Sequence, residues 1–132
     1  MEPRYVQLNL FQKLRNEEIL RRTPTQKKLD RINAKVDWEK LRPTLEQALY
    51  KDLSGCAEKP LFDCILMLKI LVLKETFNLD FDDVAFEIWD RATFRWFLNL
   101  SKDDDKPDSQ TIYKFYQAFT EAGLSVKKLL AR

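Results

Sequence analysis

The sequence predicts an all-α protein, a multi-helix bundle without a β-sheet. Glycine occurs twice and proline five times in 132 residues, so few residues would interrupt a helix. The strict alternation of apolar and polar residues that marks a strand is hard to find. We therefore predict one helical domain over residues 1–132, with N-terminal helices within 1–50 and a core within 60–123.

The N-terminal part begins with a weak helix candidate over residues 5–22, where the apolar side chains have imperfect helical spacing. A clearer helix follows, because Thr23, Pro24 and Gln26 match a capping box with proline at the first helical position. Its apolar stripe consists of Leu29, Ile32 and Val36.

A second N-terminal helix is predicted after Asp37, which can act as its N-cap. Pro43 is tolerable if it lies near the first turn. One apolar face is marked by Trp38, Leu41, Leu45 and Leu49. The segment 51–59 contains Gly55 and is the best internal boundary.

The central element is a helix over residues 60–77 whose apolar side chains surround most of its circumference. A helix of this type belongs at the centre of a fold. Its longest apolar run, 61–73, contains Asp63 and Lys69 and is too short to span a membrane. We therefore expect a buried helix and no membrane partner.

Asp80 is the predicted cap of the next helical region, and Asp82 and Asp83 lie in its first turn, near the positive end of the helix dipole. The region is predicted to divide into two short helices near Ala92. Its core residues are Val84, Ile88, Phe94, Phe97 and Leu98. The aromatic side chains here, Trp96 included, fit core packing better than stacking on unpaired bases.

The polar segment 101–107 is predicted to be a turn or exposed loop. Its three aspartates, Asp103 to Asp105, lack the glycine and glutamate spacing of a calcium loop. Cys56 and Cys64 have no histidine to complete a zinc site and are expected to be reduced thiols. The sequence therefore predicts no metal site and no cofactor.

The last long helix is predicted to start with Asp108 or Ser109 as cap and to end before Gly123, a C′ residue. Its buried face consists of Ile112, Phe115, Tyr116 and Phe119. Its outward positions are Gln110, Tyr113, Lys114, Gln117 and Glu121. Another helix is predicted within 124–132.

Charge is unevenly distributed along the chain. The net charge is +4 for residues 1–60, −5 for 61–108 and +3 for 109–132. Segregated positive charge suits phosphate binding, because contact with phosphates releases condensed counterions. An ordinary solvated surface explains the same pattern.

From Val36 to about Leu124, the chain resembles the N-terminal domain of insertion-sequence DDE transposases of the insertion-sequence-five family. The resemblance rests on the apolar helix after Pro60 and two later motifs. These motifs are the block Phe94, Arg95, Trp96, Phe97, Leu98 and the pattern Pro107, Asp108, Thr111, Ile112, Phe115. Two positions depart from the family: Asn99 replaces a common glycine, and Tyr116 replaces a common basic residue that would contact phosphate.

The resemblance implies a helix-turn-helix-like C-terminal half that binds double-stranded DNA at terminal inverted repeats. If residues 109–121 form the recognition helix, its outward side chains face base edges. The candidate DNA-binding residues are Ser109, Gln110, Tyr113, Lys114 and Gln117, with Arg91 and Arg95 as backbone contacts. Further phosphate contacts are expected from Arg21, Arg22, Lys27, Lys28 and Arg31.

Family members carry two aspartates and a glutamate in a separate catalytic domain, where they hold divalent metal ions. Those positions would lie beyond residue 132, so we assign no catalytic residue and expect no enzymatic activity from this chain alone. The expected location is the bacterial cytoplasm, in association with the nucleoid. The alternative is a helical oligomerisation module, or a truncated transposase remnant, that pairs subunits as a homodimer through Leu29, Ile32, Trp38 and Leu41.

Overall fold

The computed structural model describes residues 18 and 19, 21–50 and 62–130. Most of the predicted first helix and the predicted boundary at 51–59 lie outside these residues. Seven complete helices lie within them: α1 Pro24–Lys35, α2 Trp38–Tyr50, α3 Cys64–Thr76, α4 Phe81–Asp90, α5 Ala92–Leu98, α6 Ser109–Glu121 and α7 Val126–Leu130. The described part of the chain contains no strand, so the prediction of an all-α bundle is confirmed.

Helix α3 is the centre of the bundle, as predicted. It packs against α2, α4, α5, α6 and α7. Nine of its 13 residues are buried, because apolar side chains surround the helix. The helix begins at Cys64 rather than Pro60, since Asp63 has extended backbone and pairs through its carboxylate with Arg42. None of the helices in the described ranges has the length and apolar character needed to cross a membrane.

The start of α1 follows the predicted cap only in part. Thr23 Oγ1 accepts from the Gln26 backbone N–H at 3.3 Å, and Pro24 is the first helical residue. The reciprocal half of the capping box is absent, because Gln26 Nε2 donates to Asp30 Oδ1 at 2.8 Å and Gln26 Oε1 has no partner. The predicted cap by Thr23 is therefore confirmed. The prediction that the Gln26 side chain bonds back to the Thr23 backbone is wrong.

Helix α2 begins directly after Asp37, as predicted, and buries the predicted face. Leu41 and Leu45 lie in the core, while Trp38 and Leu49 pack against it. Pro43 lies inside the helix rather than in its first turn. The helix therefore lacks one backbone hydrogen bond at this position.

The break between α4 and α5 lies at Arg91, which has extended backbone. Arg95 supports this break, because one guanidinium nitrogen donates to the carbonyls of Ile88 at 3.2 Å and Trp89 at 2.6 Å. These carbonyls are among those that the end of α4 leaves without helical partners. Phe94 and Phe97 are buried, so core packing of these rings is confirmed.

Within the described residues, three helices end in the left-handed conformation, and Asn78 lies just past α3 with φ of 53°. Asn99 ends α5 with φ of 58°, and Gly123 follows α6 with φ of 78°. Asparagine is one of the few residues with a side chain that adopts this conformation readily. This geometry explains how Asn99 can occupy a position where the family resemblance led us to expect glycine.

The loop from 100 to 108 is less exposed than predicted at one end. Lys106 and Pro107 are buried, whereas Asp103 to Asp105 are exposed. The Lys106 ammonium donates to the carbonyls of Lys102 at 2.8 Å and Asp104 at 2.6 Å and lies 4.0 Å from the Trp89 ring centre. The loop is therefore fixed against α4.

Candidate nucleic-acid interface

Helix α6 presents a polar face because Ile112, Phe115, Tyr116 and Phe119 share its opposite, inward side. Ile112 and Phe119 are buried, and Phe115 and Tyr116 are partly buried against the core, as predicted. The N-cap is Asp108, whose carboxylate accepts from the Thr111 backbone N–H at 2.8 Å. This hydrogen bond lowers the pKa of the Asp108 carboxyl and keeps it charged at the helix N-terminus.

A groove of about 520 Å³ runs between α6 and the start of α4. It contains all five α6 side chains that the sequence analysis proposed as DNA readers. Among the described residues, its lining is Asp80, Phe81, Asp82, Ser109, Gln110, Tyr113, Lys114 and Gln117. We call this surface the α4–α6 groove.

Tyr113 is held in a defined position within the α4–α6 groove. Its ring meets Phe81 edge to face, with ring centres 5.2 Å apart. Its hydroxyl accepts from Gln117 Nε2 at 3.2 Å, one helical turn along α6. Tyr113 is nevertheless 45% exposed, so its hydroxyl can still donate to a ligand.

The α4–α6 groove carries both signs of charge. Lys114 is an exposed cation on the α6 side, and Asp80 and Asp82 lie on the opposite side. Asp80 also caps α4 by accepting from the Asp83 backbone N–H at 2.7 Å. A groove with amide, hydroxyl, ammonium and carboxylate groups can read the donors and acceptors of base edges. It is less suited to binding a row of phosphates.

Arg91 and Arg95 are not brought into the groove. Arg91 forms an ion pair with Glu87 at 2.5 Å and lies 5.3 Å from the Phe94 ring centre. Arg95 is occupied by the carbonyls at the end of α4. Their DNA contacts remain predictions, whereas their contacts in the structure stabilise the α4–α5 junction.

Phe81 and Asp82 line the groove beside α6, although no pattern in the sequence associates them with that helix. Asp82 was assigned only to a helix first turn, and Phe81 to no role. Only the packing of α4 on α6 brings them to the groove, and single-helix periodicity carries no information on which helices become neighbours. Tyr116, where the family resemblance led us to expect a basic residue, packs its ring 5.3 Å from Phe81 and supports the groove from beneath.

The turn that precedes α6 is longer than in a strict helix-turn-helix. Residues 99–108 separate α5 from α6, and α6 packs on α2, α3 and α4. A DNA-binding helix-turn-helix joins its helices through 3–4 residues. The helix-turn-helix likeness therefore remains a prediction.

A second cluster of charged side chains lies at the junction of α2, α3 and α5, beside a cavity of about 770 Å³. The Arg42 guanidinium bonds Glu39 at 2.8 Å and Asp63 at 3.1 Å, and these hydrogen bonds lower the pKa of both carboxyls. Lys69 is buried and donates to the Phe97 carbonyl at 3.2 Å, and its burial lowers the pKa of the ammonium. We call these residues the Arg42 cluster. It joins three helices, and its charged groups are largely paired with one another.

Metal binding has little structural basis in the described ranges, which contain no group of three or more His, Cys, Asp or Glu able to hold an ion. Asp104 instead accepts from the Ser101 backbone N–H at 2.7 Å, which lowers the pKa of its carboxyl. Cys64 is a buried free thiol, and burial raises its pKa. The acidic loop therefore acts as a turn that binds its own backbone.

Comparison with known proteins gives one family. The family model described as a transposase domain (DUF772) matches residues 17–118. The matched region extends from before α1 into α6 and includes every residue that lines the α4–α6 groove. No curated protein and no solved structure matches the chain.

Proposed function

Because the chain belongs to the transposase domain (DUF772) family, we propose that it binds double-stranded DNA at transposon terminal inverted repeats. The proposal takes the family to be that of the insertion-sequence-five DDE transposases, working at the bacterial nucleoid. The observation that carries it is the α4–α6 groove, where five polar side chains of α6 line one accessible surface. In this proposal the chain recognises the repeat, and a catalytic domain does the cutting.

Helix α6 has suitable dimensions for the major groove. Its 13 residues give a length of roughly 20 Å, and a major groove about 12 Å wide admits one helix. Gln110, Lys114 and Gln117 are exposed on successive turns. Glutamine pairs with adenine through two hydrogen bonds, and lysine donates to the acceptors of guanine. These three side chains are therefore the proposed base readers.

Ser109 and Tyr113 have a different role in this proposal. Hydroxyl groups commonly hold phosphate oxygens and thereby fix the register of a helix on DNA. Tyr113 is positioned by Phe81 and Gln117, so binding would cost little additional side-chain ordering. Asp82 faces the same groove and can accept from a cytosine amino group.

Phosphate affinity must come largely from outside the groove, because Lys114 is the only cation among the described residues that line it. The exposed cations of the N-terminal part supply it in this proposal, and Lys27, Lys28 and Arg31 of α1 are all exposed. Each phosphate that the protein neutralises makes the slope of the logarithm of the binding constant against the logarithm of the salt concentration steeper by about one unit. DNA binding should therefore weaken steeply as salt increases.

A fluorescence anisotropy titration tests the proposal with two labelled duplexes, the terminal repeat of the encoding element and a scrambled sequence of equal composition. We expect tighter binding to the repeat and a negative salt slope for both duplexes. Gln110→Ala/Gln117→Ala should reduce the preference for the repeat by about tenfold or more, since a bidentate base contact contributes about 1–3 kcal/mol to discrimination.

A matched control is Gln47→Ala, which removes an exposed glutamine of α2 that does not line the α4–α6 groove. This variant should retain the wild-type preference. Equal affinity of the wild-type chain for both duplexes, without a salt slope, would contradict the proposal.

In the alternative, an oligomerisation module pairs subunits through four apolar residues, but the chain's own core already uses these residues. Leu29 and Leu41 are buried, and Ile32 and Trp38 pack against the chain's own core. Apolar surface that is already covered contributes nothing to subunit pairing. Self-association would have to use another surface.

A further inference from the structure

The outward face of α4 carries an exposed aromatic pair between carboxylates. Phe86 is 65% exposed and Trp89 is 57% exposed, although both belong to a helix whose other side lies in the core. Asp82 and Asp90 are exposed at either end of this face. We call Asp82, Phe86, Trp89 and Asp90 the acidic aromatic stripe. Exposed aromatic side chains grouped on one face mark an interaction surface.

The cations near this stripe do not neutralise its carboxylates. Lys106 bonds two carbonyls beneath Trp89, Arg91 pairs with Glu87, and Arg95 bonds the end of α4. The nearby loop adds Asp103 and Asp105, both exposed. The face is therefore negative, so it repels phosphate groups and suits a partner with cationic side chains. The contact of Lys106 with Trp89 at 4.0 Å shows that this ring accepts a cation on its face.

Helix α1 of the same chain carries the complementary pattern. Lys27, Arg31 and Lys35 are exposed at positions i, i+4 and i+8, and among the described residues they form no ion pair. We call these three residues the basic stripe. Asp82, Phe86 and Asp90 have the same i, i+4, i+8 spacing on α4. Both stripes therefore extend roughly 12 Å along their helices.

We propose that the acidic aromatic stripe binds the basic stripe of a second copy of this chain. Lys27 and Lys35, at the two ends of the basic stripe, pair with Asp82 and Asp90. The Arg31 guanidinium stacks on Phe86 and Trp89. Pairing of α4 with α4 is disfavoured, because an antiparallel arrangement would place Asp82 of one copy near Asp90 of the other. The contact is therefore between unlike surfaces, α4 of one copy and α1 of the next.

This contact does not depend on DNA binding, but it would affect it. The basic stripe includes Lys27 and Arg31, which the proposed function assigns to phosphate. A copy whose α1 is covered would lose these phosphate contacts, and Asp82 belongs to both the stripe and the α4–α6 groove. Self-association and DNA binding would therefore compete for the same cations and for Asp82.

Analytical ultracentrifugation of the full chain without DNA tests the proposal. We expect a mass that increases with protein concentration, and an association constant that falls at least about tenfold between 0.05 and 0.5 M salt. Asp82→Lys/Asp90→Lys and Lys27→Glu/Lys35→Glu should each weaken association at least about tenfold, because each variant opposes like charges. Mixing the two variants should restore association, since each altered stripe then meets its complement.

The control is Glu75→Lys/Glu121→Lys, which makes the same change of net charge as Asp82→Lys/Asp90→Lys at two exposed positions outside both stripes. It should associate like the wild type, and circular dichroism should show equal helix content for all variants. A wild-type mass that is independent of concentration would overturn the proposal. Failure of the mixed variants to associate would also overturn it, even if each variant alone is monomeric.

Discussion

The Arg42 cluster and the acidic aromatic stripe combine the same kinds of side chain with different outcomes. In the cluster, Arg42 pairs with Glu39 and Asp63, and Lys69 lies 5.3 Å from the Trp38 ring centre within the protein. In the stripe, Phe86 and Trp89 are exposed and the flanking aspartates have no cationic partner among the described residues. Charged and aromatic groups that satisfy one another hold a fold together, whereas those left unsatisfied are available to partners.

The largest expected effect is on stability, when one aromatic residue from each region is replaced by alanine. Phe97→Ala should lower the free energy of unfolding by about 3–5 kcal/mol, because the ring is buried against Trp38 and Lys69 and leaves a cavity. Phe86→Ala should change it by less than about 0.5 kcal/mol, because that ring is mostly exposed. Urea denaturation followed by circular dichroism measures both. Equal losses of stability for Phe97→Ala and Phe86→Ala would show that the two regions do not differ in their contribution to the fold.

The sequence predicted this distinction only in part. Capping residues and apolar periodicity located the helices, because Asp80, Asp108 and Gly123 act within a single helix or its end. The α6 side chains that line the groove followed from the same periodicity. Phe81, Lys106 and Arg95 acquire their roles from neighbours up to 35 residues away in sequence, so only the assembled fold reveals them. The exposure of Trp89 also depends on which helices pack together, and no local pattern specifies it.

The next effect concerns the ion pairs of the Arg42 cluster. Arg42→Met should lower the free energy of unfolding at pH 7, because Glu39 and Asp63 lose their charge-assisted hydrogen bonds, although solvent screening reduces the contribution of these exposed pairs. Arg42 lowers the pKa of both carboxyls below their ordinary values of 4.5 and 3.8. Their contribution is therefore complete above those values and is lost as the pH falls through the lower, folded-state values.

Denaturation curves between pH 7 and pH 2 provide the test. The wild type should lose more stability than Arg42→Met over the acid range, so the two proteins should converge at low pH. Asp90→Asn is a suitable control, since Asp90 forms no ion pair among the described residues and should leave the acid dependence unchanged. Parallel curves for the wild type and Arg42→Met would show that the cluster does not stabilise the fold through these charges.

A smaller effect is expected in the α4–α6 groove, where Tyr113→Phe removes one hydroxyl. Gln117 loses its acceptor at 3.2 Å, but both side chains are exposed, so stability should change by less than about 0.5 kcal/mol. Affinity for the terminal repeat should fall several-fold, because the hydroxyl both orients Gln117 and can bind phosphate. Anisotropy titration measures the DNA affinity, and thermal denaturation measures the stability. A large loss of stability with unchanged DNA affinity would assign Tyr113 to the fold rather than to the groove.

The smallest effect lies at Asn99, beside the cavity of the Arg42 cluster. Asn99→Gly should change the free energy of unfolding by about 0.5 kcal/mol or less. Glycine relieves the strain of the left-handed backbone at φ 58°, but it increases the conformational entropy of the unfolded chain. Asn99→Val should instead destabilise by about 1–2 kcal/mol, because a β-branched residue rarely adopts this conformation. A valine variant as stable as the glycine variant would show that the end of α5 can adopt another backbone conformation, so that the position would not require a left-handed residue.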